Sequence, residues 1–202
     1  MALVNLRGLY VRVGEWPMYL DDCAAAVRQW EGLVPWMYLD TVGIVTVAHG
    51  RALASPNDAD ALPFMVGTRR ATLAEVTAEF FRVHTMERGH LPAHYRMESS
   101  PVLLDEDMNA LLVCAVKDRD QALQRYLRGY TTAPDAAKLA LFDMAYNLGL
   151  AGLLRFHKLC AALATGDYAA CEAECERMPG VAAFEARNAW TMSLFAGAAK
   201  AA

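Results

Sequence analysis

The sequence predicts an α+β, mostly α chain, and three observations carry that reading. WMYLD at 36–40 and IVTVA at 44–48 are β-rich runs separated by Thr41, Val42 and Gly43, which reads as one hairpin over 36–48. Thr72-Leu-Ala-Glu75 has the capping-box pattern, in which a hydroxyl and a carboxylate satisfy two free backbone N–H groups at the start of a helix over 72–88. From Asp105 almost to the end the apolar spacing is helical, with stops at Gly129, Gly149, Gly166 and Pro179-Gly180 and starts at Asp105, Pro134, Asp167 and Phe184.

The remaining elements follow in chain order. Residues 3–13 alternate irregularly and read as a short strand or surface arm. Asp21 and Asp22 precede Cys23, Ala24, Val27, Trp30 and Leu33 at spacings of three and four, an amphipathic helix with acids at its positive end and Gly32 as its stop. Ser55-Pro56-Asn57-Asp58, Pro63 and Gly67 make 53–70 an irregular loop, and Gly89, Pro92, Ser99, Ser100 and Pro101 mark a second polar loop. The layout is one domain over 1–202: a small lobe over about 21–70, a connecting helix over about 72–88, an elaboration over about 89–118 and a helical lobe over about 119–198.

Composition bounds the function. A net charge of −4 provides no broad basic field, so nucleic acid is a poor partner. Five cysteines without a CxxC argue against a disulfide framework and for folding in a reducing cytosol. The first sixteen residues are interrupted by Asn5, Arg7, Arg12 and Glu15, unlike a signal peptide, and no apolar run is long enough for membrane insertion.

The chemistry concentrates between 31 and 50. Glu31 ends a helix near its negative pole among Trp30, Leu33 and Trp36, and both effects favour the protonated carboxyl of a general acid. Asp40, beside the polar turn, reads as an ionised group that holds or activates water attacking a sugar from the opposite face, with Thr46 directing that water. Carboxylates in such places also serve as solvated last-turn residues and turn-formers, and spacing alone leaves both readings open.

The EG at 31–32, YLDTVG at 38–43 and VTV with its glycine at 45–50 resemble the active-site stretch of the phage-type lysozymes, the glycoside hydrolase family 24 muramidases. LFDMAYNLG at 141–149 is similar to a later helix of that family. Residues 166–170 and the RNAWTMSLF at 187–195 resemble its C-terminal helices, in wording closest to lysozyme-like toxin domains of type VI secretion systems. The likeness covers 21–53 and 120–198, and between them only the capped helix.

The resemblance implies a two-lobed lysozyme-like fold with a small β-hairpin lobe and a helical C-terminal lobe. It implies cleavage of the β-1,4 bond between N-acetylmuramic acid and N-acetylglucosamine, without a cofactor. It assigns Glu31 as the acid, Asp40 as the water-positioning carboxylate and Thr46 as the third member. Arg187 falls where the family has an arginine that pairs with the catalytic glutamate, and Asn147 falls at the cleft wall. Tyr38 supports the hairpin. The chain departs from the family's Gly-x-Gly at Ala48-His49-Gly50, where alanine is tolerated at negative φ and His49 either contacts sugar or points outward. Carboxyl groups about 6.5–9.5 Å apart favour inversion, and about 5 Å favours a covalent route.

The partners implied are peptidoglycan glycan strands, an immunity protein that blocks the cleft, and a secretion spike or chaperone. The toxin-like wording places synthesis in the bacterial cytoplasm and action in the periplasm or wall of a target cell after delivery; a phage endolysin and a non-catalytic glycan- or protein-binding module are the alternatives. His84, His90, His94 and Glu87 read as a solvated polar loop rather than a metal site, since Gly89 and Pro92 break the helix that would align them. Cys171 and Cys175 read as packed thiols.

Overall fold

The computed structural model describes residues 17–201 and, as backbone, residues 3–6 and 9–12. The N-terminal segment read as a strand or arm is a hairpin of β1 (Leu3–Leu6) and β2 (Leu9–Arg12), antiparallel with Leu3 opposite Arg12; residues 7, 8 and 13 of that segment lie outside the described residues. Helix α1 (Tyr19–Glu31) opens with Asp21 and Asp22 in its first turn and buries Cys23, Ala24, Ala26 and Val27. Gly32 follows at φ 70°, a left-handed conformation that lets the chain leave the helix at once.

Strand β3 (Val34–Leu39) pairs antiparallel with β4 (Val45–Ala48), which pairs with β5 (Arg51–Ala52), giving a three-stranded sheet. The alternation along β3 separates its faces: Met37 and Leu39 are buried, so the period of two turns Trp36 and Tyr38 to the other face. Thr46 stands directly across from Tyr38.

The segment 53–70 is not an irregular loop. Ser55 caps a short helix, α2 (Pro56–Asp60), with Pro56 in its first turn, and β6 (Met65–Val66) turns back on β7 (Arg69–Arg70). The polar tract SPND is thus a helix start, in which proline's fixed φ and missing N–H cost nothing. Helix α3 (Leu73–His84) carries the expected capping box: Thr72 Oγ1 accepts from the Glu75 N–H while Glu75 Oε2 accepts from the Thr72 N–H. A 3-10 turn over Pro92–Tyr95 interrupts the second polar loop.

The rest is helical: α4 (Asp105–Tyr126), α5 (Asp135–Leu153), α6 (His157–Thr165), α7 (Tyr168–Glu174) and α8 (Ala182–Ala201). The expected stop at Gly149 is a break inside α5, with φ 74°. Gly166 is the left-handed cap of α6, and Asp167 accepts from the Ala170 N–H to start α7. With 60% helix and 9% strand the class is α+β, mostly α. Among the described residues no single helix is long and apolar enough to cross a membrane.

The chain divides into two compact units. Arg28–Cys114 and the N-terminal hairpin form the first; its core gathers Met37, Val47, Phe64, Phe80, Tyr95 and Met108 from the sheet, α3, the start of α4 and the segments between them. The second joins the start of α1, through Val27, to the chain from Ala115 onward. There α8 packs on α5 and α7, and α6 on α7.

Candidate active site

Five of the seven residues singled out from the sequence, Glu31, Tyr38, Asp40, Thr46 and His49, belong to the first unit. Glu31 is the last residue of α1 and is half-buried. Asp40 follows the last residue of β3. Its Oδ1 accepts the backbone N–H of Val42 at 3.0 Å and of Ile44 at 2.8 Å, and the Asp40 N–H bonds the Ile44 carbonyl at 3.0 Å, closing the turn. Among the described residues no hydrogen bond reaches Asp40 Oδ2. One carboxylate oxygen builds the hairpin and the other is left to accept.

Thr46 is 2% exposed and donates its hydroxyl proton to the Ile44 carbonyl at 3.0 Å. Its oxygen therefore meets any further partner as an acceptor. The phenol of Tyr38, across from Thr46, reports the charge around it. Its pKa is pushed up by burial, then by the Asp40 carboxylate, then by Glu31. Both carboxylates thus act on one side chain of the hairpin face.

Two details of the β4–β5 turn differ from the sequence reading. Ala48 adopts φ 57°, not a negative φ, so this alanine occupies the left-handed conformation that glycine supplies at lower cost. The turn therefore carries backbone strain at Ala48. His49 does not point outward: it is 4% exposed, and burial followed by the Arg28 guanidinium lowers its pKa to about 4, so the imidazole is neutral at pH 7.

Asn147 and Arg187 belong to the second unit. Asn147 lies in α5, two residues before the break at Gly149, and its Oδ1 is buried without a hydrogen-bond partner among the described residues. Arg187 is not a surface residue. It is 7% exposed and grips Asp143 with Nε at 3.0 Å and Nη2 at 2.7 Å from Oδ1.

The same carboxylate holds a residue that sequence reasoning missed. Arg177 is fully buried, with Nη1 2.8 Å from Asp143 Oδ2, and its Nε and backbone N–H both donate to Asn188 Oδ1. An arginine in the polar tract ECERMPG gives no sign of burial, because its partners lie 34 residues earlier and 11 residues later. A second buried acid, Asp120, accepts the hydroxyls of Tyr19 at 2.8 Å and Tyr130 at 2.7 Å.

No metal constellation forms among the described residues. His84 stacks on Phe80, and His90 stacks on His94. Cys171 and Cys175 are buried free thiols whose pKa values burial pushes up to about 12 and about 11, which keeps them unreactive at neutral pH. In comparison with known proteins, the chain matches no family model and no curated protein.

Proposed function

We propose that this protein is a peptidoglycan hydrolase, a muramidase that cleaves the β-1,4 bond between N-acetylmuramic acid and N-acetylglucosamine. The observation that carries the reading is the division of labour within Asp40, whose Oδ1 is consumed by the turn while Oδ2 stays available on the hairpin that also bears Tyr38 and Thr46. A water that donates one proton to Asp40 Oδ2 and the other to Thr46 Oγ1 presents a lone pair outward. Glu31 gives its carboxyl proton to the glycosidic oxygen as the bond to the anomeric carbon breaks. The water attacks that carbon and loses a proton to Asp40. Solvent then reprotonates Glu31 and takes the proton from Asp40.

The buried Asn147 Oδ1 suits the amide N–H of an N-acetyl group, and an unmet acceptor of this kind discriminates for a ligand that donates. The delivery reading is part of the proposal: synthesis in the cytoplasm, action on the wall of a target cell, and an immunity protein as inhibitor. Turbidity of purified peptidoglycan tests it. Wild type clears the suspension, Glu31→Gln is slower by about a hundred- to ten-thousand-fold, and equal rates in both would overturn the acid assignment.

A further inference from the structure

The catalytic step proposed above uses Asp40 but leaves the groove beside it idle. That groove measures about 430 Å³ and runs between Tyr38, Asp40 and Thr41 on one wall and His90, Leu91 and Pro92 on the other. Its volume falls within the range of small-molecule sites, about 300–1,000 Å³.

The second wall is fixed to the sheet. Trp36 Nε1 donates to the Pro92 carbonyl at 2.9 Å, and Arg96 lies over the Trp36 ring at 4.6 Å from its centroid. Tyr95, fully buried, donates its hydroxyl to the Glu87 carbonyl at 2.9 Å, and Arg82 binds the Tyr95 carbonyl. The groove is therefore preorganised, and a ligand does not have to order the loop.

Its chemistry is specific. Leu91 is 80% exposed, and an isolated exposed leucine means little, but this one forms a lip of the groove. His90 stacks on His94 with ring centroids 3.9 Å apart, a flat imidazole surface beside that leucine. On the facing wall Asp40 and Thr41 supply side chains that accept hydrogen bonds. Flat and apolar surface opposite a hydrogen-bond acceptor matches a pyranose ring, which offers C–H faces to one side and hydroxyl or amide protons to the other. The carboxylates of Asp40 and of Glu87, 3.8 Å from His90, disfavour anionic ligands.

We propose that this groove binds one neutral N-acetylated amino-sugar unit of the glycan next to the cleaved bond, with His90 and Leu91 setting the affinity. The proposal rests on the glycan reading above. The 89–95 loop then acts as a specificity element carried by a part of the chain outside the stretches that resemble lysozymes.

A titration separates this inference from the cleavage reading. The β-1,4-linked tetramer of N-acetylglucosamine is titrated by calorimetry into the Glu31→Gln protein and into the same protein carrying His90→Ala and Leu91→Ala. The loop substitutions are expected to weaken binding by about five- to tenfold. In the active protein they raise KM for solubilised glycan strands by a similar factor while kcat holds, and unchanged unfolding midpoints show that the fold is kept. Tetramer affinity and KM that ignore both substitutions overturn the groove, as does failure of the tetramer to bind. If wild type cleaves nothing yet the tetramer binds in a His90- and Leu91-dependent way, the groove stands and the hydrolase reading falls.

Discussion

Ile44 donates its backbone N–H to Asp40 Oδ1 at 2.8 Å, and Val42 shares the same oxygen at 3.0 Å. The side chain at position 40 is thus a turn-former through one oxygen and a candidate water-holder through the other, and substitution separates the two roles. Asp40→Asn keeps an Oδ1 acceptor, so its stability is expected within about 1 kcal/mol of wild type while wall lysis drops at least about a hundredfold. Asp40→Ala leaves both N–H groups without that acceptor and costs about 1–2 kcal/mol in addition. Urea unfolding and turbidity on the same preparations measure both; lysis by the Asn variant would remove Asp40 from the chemistry.

Ala48 at φ 57° is the strained point of the β4–β5 turn. A left-handed alanine costs about 1–2 kcal/mol, part of which glycine returns to its more flexible unfolded chain. Ala48→Gly is therefore expected to range from neutral to about 1 kcal/mol more stable. Ala48→Val, branched at Cβ in the same conformation and 1% exposed, should lose about 2 kcal/mol or more. Thermal unfolding of the two variants checks the order, and a valine variant as stable as the glycine variant would contradict it.

How much of this was legible follows from the range over which each signal acts. The hairpin, the Thr72–Glu75 box and the break at Gly149 were readable because each is decided by residues a few positions apart. The β6–β7 hairpin was not, since strands of two residues show no alternation to detect. Asp40 was half legible: its turn role and its chemical role were weighed as rivals, and the structure assigns the turn to a single oxygen. Arg177 was opaque because its burial is imposed by distant elements and a polar residue in a polar tract carries no trace of that; His49 follows the apolar run IVTVA, which left a sugar-facing and an outward-facing side chain both open.

His49 makes a pH dependence calculable in sign. Its pKa falls from 6.5 to about 4 on folding, through burial and the nearby Arg28 charge. A depressed histidine contributes stability that is fully present above the unfolded value and is lost as pH falls toward the folded one, so the window runs from about 6.5 down to about 4. The shift corresponds to about 3 kcal/mol. Urea midpoints at pH 7, 5.5 and 4 should therefore fall more steeply for wild type than for His49→Gln. Parallel curves would show that the imidazole is not held neutral.

Asp143 binds two buried guanidiniums, Arg177 through Oδ2 at 2.8 Å and Arg187 through Oδ1 at 2.7 Å, so the three substitutions available there are not equivalent. Asp143→Asn removes the only negative charge of the triad and leaves two cations facing each other in a low-dielectric interior, with an expected loss of about 3–5 kcal/mol. Arg177→Met leaves Asp143 paired with Arg187 and replaces a fully buried guanidinium by an apolar chain. Its cost comes from Asn188 and Thr191, which lose a partner, and should be smaller, about 1–3 kcal/mol. Arg187→Met also leaves the carboxylate neutralised, by Arg177, but strips Asp143 Oδ1 of both its donors, so it is expected to fall between the other two. Burial also shields the triad from salt, so the differences measured by urea unfolding should be the same at about 0.1 M and about 1 M sodium chloride. An Arg177→Met variant less stable than Asp143→Asn, or a stability gap that closes with salt, would mean that the carboxylate is not the centre of this network.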